Sequence, residues 1–241
     1  MTAISVSNLS KRYGRTLALD EVSVELRRGE MVALIGASGS GKSTLIRHIA
    51  GLEAGDGDNG RIVILDKVSQ TGGKLAGRRV GRGAVIFQQF NLVGRLSVLT
   101  NVLIGNLGKV PRWRGTLGIF NRAEKTRALE ALARVGIPQV AAQRSSTLSG
   151  GQQQRAAIAR SLVQKAEILI ADEPISALDP SSARRVMDVL ADINVNDRIT
   201  ILVSLHQVEY ARRYCQRTIA MRDGRIVFDG PSTALSNAFL A

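Results

Sequence analysis

The sequence is short of several features on which whole classes of protein depend. A single cysteine, Cys215, excludes an intrachain disulfide and a cysteine-rich metal site. No apolar run approaches the about 18 residues that a membrane span needs, and the first residues lack the basic and long apolar segments of a secretion signal. Hydrophobic residues nevertheless make up 44% of the 241 positions. We therefore expect a cytosolic protein with one large α/β domain, or a domain with a subdomain.

Acidic residues are scarce in one quarter of the chain. The formal net charge is +13, and residues 61–125 hold twelve lysines and arginines against only Asp66 and Glu124. Charge of this kind suits a solvated basic face, a nucleic-acid backbone or the anionic surface of a bilayer. The charge pattern alone leaves these three interpretations open.

Hydrophobic periodicity predicts a mostly parallel sheet flanked by helices, with an antiparallel N-terminal piece. Residues 4–9 and 19–26 alternate as half-buried strands do, and a hairpin is expected to turn at Asp223 and Gly224. Apolar runs predict buried strands at 31–35 and 168–171, and another strand is expected at 199–205. Helices are expected over 42–50, from the capping residue Asn121 to Val135, and from about Pro180.

Residues 36–43 fit the pattern G-x-x-x-x-G-K-[ST], between a buried strand and a helix. Glycines let successive N–H groups point at phosphate oxygens, and the helix N-terminus adds positive charge. The Lys42 ammonium can reach the β- and γ-phosphates, and the Ser43 hydroxyl can bind Mg²⁺. We therefore predict that a nucleotide and Mg²⁺ bind here, with the nucleotide on Gly36, Ala37, Ser38, Gly39, Ser40, Gly41, Lys42, Ser43 and Thr44.

Two adjacent carboxylates end the apolar run 168–171. Neighbouring strand residues point to opposite sides, so the two carboxylates have different roles. Asp172 is expected to hold Mg²⁺, and Glu173 to orient or deprotonate the attacking water. His206 follows the run 201–205 and could support that water at the γ-phosphate, whereas His48 is assigned no role.

The segment 148–155 begins with Leu-Ser-Gly-Gly-Gln, in which Ser149 and Gln152 have capping-box spacing. This segment, placed after the phosphate loop and before the paired acids, strongly resembles the ABC-transporter ATPases. The other motifs of that family occur in order: they are Tyr13, Gln88, residues 176–179 and His206.

The resemblance implies a P-loop NTPase of ABC type. It implies one ATPase domain over 1–241, with a core and β subdomain at 1–88 and 165–241 and a helical signature subdomain at 89–164. It also implies a head-to-tail homodimer in which the phosphate loop of one subunit and Ser149, Gly150, Gly151 and Gln152 of the other enclose ATP. The expected partners are membrane permease subunits and, indirectly, a solute-binding protein, with the ATPase peripheral on the cytoplasmic face.

The family motifs also imply individual roles. Tyr13 would stack on adenine, and Asp179 would lie in the loop that crosses the dimer interface. The catalytic residues would be Glu173, His206 and Gln88, and the metal site would comprise Ser43, Gln88 and Asp172.

Residues 87–108 and 205–215, with 111–114 and 172–175, resemble the phosphonate-import branch of this family. Because the ATPase does not touch the solute, phosphite or phosphate stays an alternative. An ABC ATPase acting on nucleic acid is the main rival, but the chain has no heptads for a long coiled coil and one such domain only. A non-catalytic nucleotide binder would require loss of Glu173 or His206, and both are present. We therefore predict an ATP-hydrolysing importer subunit that does not act on nucleic acid.

Overall fold

The computed structural model describes residues 1–56, 59–76, 83–87 and 91–236. The chain forms two compact units. Unit 1 comprises 1–85, 167–173 and 191–241, and unit 2 comprises 86–166 and 174–190. The sequence interpretation assigned all of 165–241 to the core, whereas 174–190 cluster with unit 2. Within unit 2, Gly151 and Ser182 pack closely, since a Cβ atom on Gly151 would lie 2.9 Å from Cβ of Ser182.

The antiparallel N-terminal piece is a five-stranded sheet in unit 1, with the order β2-β1-β4-β5-β6. Its long first two strands pair antiparallel, and burial alternates over much of each strand because successive side chains point to opposite faces. The five strands are β1 (Thr2–Tyr13), β2 (Thr16–Arg27), β4 (Arg61–Ile64), β5 (Lys67–Thr71) and β6 (Lys74–Leu75).

A second sheet has six strands in the order β11-β10-β3-β9-β8-β7. The strands are β3 (Met31–Ile35), β7 (Gly83–Ile86), β8 (Ile168–Ala171), β9 (Thr200–Leu205), β10 (Arg217–Arg222) and β11 (Arg225–Pro231). Strand β3 pairs parallel with β9 and β10, and β8 pairs parallel with β9. The expected hairpin joins β10 to β11, and both turn residues have positive φ, 49° at Asp223 and 76° at Gly224.

The core of unit 1 explains the continuous apolar runs. Every residue of β3 and β8 is buried, as predicted for strands covered on both faces, and every residue of β9 is buried as well. One cluster joins apolar side chains of both sheets to the helix that follows β3, including Ile4, Leu26, Leu34, Leu45 and Ile49. This packing fixes the loop between β3 and that helix.

Seven helices are described in the ranges given above. They are α1 (Lys42–Ile49), α2 (Val98–Leu103), α3 (Arg112–Thr116), α4 (Arg122–Arg134), α5 (Gly150–Val163), α6 (Pro180–Asp197) and α7 (Val208–Tyr214). The predicted cap of α4 is confirmed: the Asn121 side chain accepts a 2.8 Å bond from the Glu124 N–H, and the Glu124 carboxylate accepts one from the Asn121 N–H. None of the helices in the described part of the chain is long and apolar enough to cross a membrane.

Candidate functional site

The loop between β3 and α1 can be built only with glycines at two positions. Gly41 caps α1 with φ of 101°, and a Cβ atom there would lie 2.5 Å from the Ala18 carbonyl oxygen. A Cβ atom on Gly36 would collide with the Met221 carbonyl oxygen. The backbone therefore curls tightly ahead of the α1 N-terminus, as a phosphate-binding loop requires.

Lys42 places its ammonium inside this loop. The residue is 4% exposed, and its Nζ donates hydrogen bonds to the carbonyl oxygens of Gly36 at 2.8 Å and Ala37 at 2.9 Å. Burial lowers the pKa of Lys42, while the carboxylates of Glu173 and Asp172 act to raise it. A cation in a glycine-rich loop at a helix N-terminus is the arrangement that binds a polyphosphate.

Strand register brings the predicted acids and histidine to the same sheet edge as the loop. Ile35, at the end of β3, pairs with Leu205, and Ala171, at the end of β8, pairs with Val203. The loop follows β3, the two acids follow β8 and His206 follows β9. Because parallel strands end at one edge, residues far apart in sequence meet there.

Asp172 and Glu173 are joined through Ser204, which sequence reasoning missed. The Ser204 hydroxyl donates to Asp172 Oδ1 at 2.8 Å and accepts from the Glu173 N–H at 2.7 Å. Asp172 Oδ1 also lies 3.4 Å from the Ser43 hydroxyl. Ser204 is fully buried and is the only polar residue in the run 201–205, which is the sequence signal that could have identified it.

Glu173 lies next to His206. The sequence analysis expected both residues to act on the attacking water. Glu173 Oε1 lies 2.6 Å from His206 Nε2. The Glu173 backbone has φ of 49°, a left-handed conformation that costs a non-glycine residue energy and is found at functional sites. The bond from its N–H to Ser204 holds that conformation.

The Ser43 and Asp172 oxygens fit Mg²⁺. Both are hard oxygen donors on one side of the loop, and their 3.4 Å separation suits two ligands of one small cation. Within the described ranges no group of three or more histidine, cysteine or acidic residues could hold a metal ion. Mg²⁺ binds through few protein oxygens together with substrate phosphates and water, so Ser43 and Asp172 are the residues that would hold it.

Tyr13 is half exposed and held by groups that the sequence analysis did not single out. Its hydroxyl donates a hydrogen bond to Glu53 Oε1, and the Lys11 ammonium lies 5.3 Å from the centre of its ring. Lys11 in turn pairs with Asp56 at 2.9 Å. Burial and the bond to Glu53 raise the pKa of Tyr13, against the opposing effects of Lys11 and Thr44. The ring is thereby fixed at the surface of unit 1.

The predicted signature residues lie in unit 2, where they cap α5. Ser149 Oγ accepts a 3.3 Å bond from the Gln152 N–H, and Gln152 Oε1 accepts a 3.0 Å bond from the Ser149 N–H, which confirms the capping box. Gly150 and Gly151 begin the helix.

Asp179 also lies in unit 2 and caps α6, accepting N–H bonds from Ser182 and Ser181, both at 3.0 Å. Hydrogen bonds from these two serines hold the pKa of Asp179 well below its usual range. Gln88 lies outside the described residues.

Comparison with known proteins gives the same family as the motifs. A family model described as ABC transporter matches residues 19–176. The chain is 60% identical to Phosphonates import ATP-binding protein PhnC 1 of Pseudomonas aeruginosa, covering 98% of this chain and 87% of that protein. It is 57% identical to Phosphonates import ATP-binding protein PhnC of Stutzerimonas stutzeri, covering 99% and 88%.

Solved structures of ATP-binding cassettes share the fold of this chain. A dimeric ATP-binding cassette in a post-hydrolysis state with ADP and Pi has a TM-score of 0.81 and 31% identity, covering 96% of this chain and all of that one. The cbiO1 subunit of Clostridium perfringens, part of an ABC transporter complex, has a TM-score of 0.81 and 28% identity over 96% of this chain and 89% of that one. The chain therefore belongs to the ABC transporter family, among its ATP-hydrolysing subunits.

Proposed function

We propose that this chain binds MgATP in the loop 36–43 and uses its hydrolysis to drive phosphonate import through separate permease subunits. The observation that carries the ATPase assignment is the bonded chain from Ser43 through Asp172 and Ser204 to Glu173 and His206. The identity of 60% to a phosphonates import ATP-binding protein supports the solute class.

Each residue of the site has a separate task in this proposal. Backbone N–H groups of residues 37–44 and the Lys42 ammonium bind the phosphates, while the Tyr13 ring stacks on the adenine. Ser43 and Asp172 would hold Mg²⁺, which neutralises phosphate charge when bound. Gln88 would contact the metal and the water.

The Glu173 carboxylate accepts the proton of the attacking water. His206 orients this carboxylate, since its Nε2 lies 2.6 Å from Glu173 Oε1. Ser204 keeps the Glu173 backbone in its left-handed conformation, so the carboxylate is positioned before substrate arrives. We assign general-base catalysis to Glu173 and positioning to Ser204.

The signature residues Ser149, Gly150, Gly151 and Gln152 serve a second copy of the chain. The N-terminus of the 14-residue helix α5 supplies N–H groups and partial positive charge suited to a γ-phosphate. Asp179, in the loop before α6, would contact the partner. We therefore propose a head-to-tail homodimer, peripheral on the cytoplasmic face of the membrane, with hydrolysis dependent on dimerisation.

The test is ATP hydrolysis by the subunit reconstituted with its permease in liposomes, with solute-loaded binding protein added. Phosphonate, phosphate and phosphite are compared at equal concentration. Stimulation by phosphonate alone supports the proposal. Stimulation by another oxyanion retains the importer ATPase and overturns the phosphonate assignment, and absence of hydrolysis under all conditions overturns the whole proposal.

A further inference from the structure

Unit 2 contains four large apolar side chains that are exposed to solvent and lie within thirteen residues of one another in the sequence. Leu107, Trp113, Leu117 and Ile119 are 40%, 62%, 66% and 47% exposed. We call these four residues the Trp113 patch. Trp113 lies on the short helix α3, Leu117 and Ile119 follow it in the chain, and Leu107 packs against it, since a Cβ atom on Gly115 would lie 3.1 Å from Leu107 Cδ2. Single exposed apolar residues are ordinary, but a group of this kind indicates an interaction surface.

The fold holds this segment in place, so the exposure does not come from a loose chain. Phe120 is buried directly after the patch. Glu124 is also buried, and its Oε2 accepts hydrogen bonds from Arg114 at 2.7 Å and from the Asn121 N–H at 2.6 Å. Burial acts to raise the pKa of Glu124, but these two donors outweigh it and hold the pKa below its usual value. The stretch before α4 is therefore tied to the start of that helix by Phe120 and by the Arg114–Glu124 ion pair.

The charges in the segment that carries the patch are almost all positive. Residues 107–125 contain five lysines and arginines, and their one acid, Glu124, is buried and paired with Arg114. Arg112, Arg122 and Lys125 are exposed, and none of them forms an ion pair with a carboxylate in the described part of the chain. The surface therefore combines exposed apolar groups with cations that lack a protein counter-charge.

We propose that the Trp113 patch docks on the anionic surface of a lipid bilayer. The inference rests on the proposed function, which places the subunit beside a membrane. Tryptophan favours the membrane–water interface, leucine and isoleucine enter the acyl boundary, and arginine and lysine pair with anionic headgroups. Charge complementarity selects this occupant, because three exposed cations without carboxylate partners match a surface that is negative throughout.

Trp113 is the only tryptophan of the chain, so it reports directly on its own environment. The full chain is mixed with protein-free vesicles of phosphatidylcholine alone, or with about a third phosphatidylglycerol, and tryptophan emission is recorded. Docking predicts a blue shift and quenching by brominated acyl chains with anionic vesicles only, and reversal at high salt, because surface charge is screened.

Substitutions in the Trp113 patch test whether this patch makes the contact with anionic vesicles. Leu117→Ser and Arg112→Glu should each reduce binding to anionic vesicles in flotation by about threefold or more. The matched controls are Val195→Ser, at a residue 72% exposed on α6, and Lys67→Glu, at an exposed residue of β5, and both should bind like the wild type. Reduced binding by the controls to the same degree overturns the assignment to the patch.

Other occupants give distinct results. Binding only to vesicles that contain the permease overturns lipid docking in favour of a protein contact, and a lipid-independent blue shift that grows with protein concentration overturns it in favour of a second copy. Vesicle binding without any solute-stimulated ATP hydrolysis supports the inference while contradicting the proposed function. Solute-stimulated hydrolysis without binding to protein-free vesicles supports the proposed function and overturns the lipid-docking inference.

Discussion

The carboxyl edge of the parallel sheet in unit 1 and the helix α5 in unit 2 treat buried polar groups in opposite ways. Ser204, fully buried at the edge, bonds to Asp172 on one side and to the Glu173 N–H on the other. Gln154, equally buried on α5, has no hydrogen-bond partner for either amide atom among the described residues. The edge of unit 1 is thus fixed before a ligand arrives, whereas α5 carries a polar group that is unsatisfied in this state of the chain.

Unit 2 is able to satisfy a buried amide elsewhere, which makes Gln154 informative. Asn101 is also fully buried, and its amide nitrogen donates to the carbonyl oxygens of Ser97 at 3.0 Å and Val93 at 3.1 Å. Its side-chain oxygen accepts from the Val93 N–H at 2.7 Å. The two buried amides of unit 2 therefore differ. The hydrogen bonds of Asn101 explain its burial as structural, whereas folding of the chain alone does not explain why Gln154 is buried.

The largest expected effect tests the edge of unit 1. Glu173→Gln keeps the size of the side chain but removes its ability to take a proton, so kcat should fall by about 100-fold or more while ATP still binds. Phosphate release by the reconstituted transporter measures turnover, and equilibrium binding measures affinity. Glu130→Gln, at an exposed residue of α4, is the control and should retain turnover. Normal turnover in Glu173→Gln would remove the assigned role.

A smaller loss is expected at Ser204, which acts through its neighbours. Ser204→Ala leaves the Glu173 N–H without its 2.7 Å partner, so kcat should fall by about tenfold with a smaller change in KM. Ser204→Thr keeps the hydroxyl and should recover part of kcat. Equal losses in both variants would show that the volume of the site matters and the hydrogen bond does not.

A change of a few fold is expected where the Tyr13 ring is held. Glu53→Gln weakens the bond to the Tyr13 hydroxyl, so KM for ATP should rise by about two- to fivefold with kcat less affected. Tyr13→Phe should have a similar effect, and the double variant should be no worse than either single one. Additive effects would show that Glu53 acts on the nucleotide independently of Tyr13.

The smallest expected effect is a change in the thermal stability of the chain on replacing Gln154 of unit 2. Gln154→Met replaces the unsatisfied amide by an apolar group of similar length, so Tm of the isolated chain should rise by about 2–6 °C, since an unpaired buried amide costs about 1–3 kcal/mol. Gln153→Met is the matched control, because Gln153 Nε2 donates to the Leu148 carbonyl oxygen at 3.0 Å and its loss should not stabilise. Scanning calorimetry compares the two. A lower Tm for Gln154→Met would mean that the amide is satisfied in solution, and the contrast with Asn101 would disappear.

Local chemistry explains which parts of the molecule could be predicted from sequence. The caps at Asn121 and Ser149 depend on residues three positions apart, and the loop 36–43 depends on a strand, glycines and a helix in succession, so all of them can be read from adjacent residues. The buried strands β3 and β8 were likewise evident from apolar runs. The short strands β4 to β6 were not predicted, because strands of two to five residues are too brief to show a clear periodicity.

Local sequence pattern does not identify residues whose role depends on distant partners, such as Ser204, Glu53 and Lys11. Each acts on a residue more than thirty positions away or on another strand: Ser204 on Asp172, Glu53 on Tyr13, and Lys11 on Asp56. A serine inside an apolar run or a charged residue at the surface has many unremarkable explanations. Only their partners identify them, and the partners are known only from the fold.

By itself, the sequence determined the nucleotide-binding loop, the paired acids, the helix caps and the family, because each is encoded by residues close together in the chain or by motifs in a fixed order. The tertiary structure decided which of these groups meet. Parallel pairing of β3, β8 and β9 brings Ser43, Asp172, Glu173 and His206 to one edge, and it inserts Ser204 between the acids. Strand register is a property of long-range packing, so the geometry of the site depends on the whole core of unit 1.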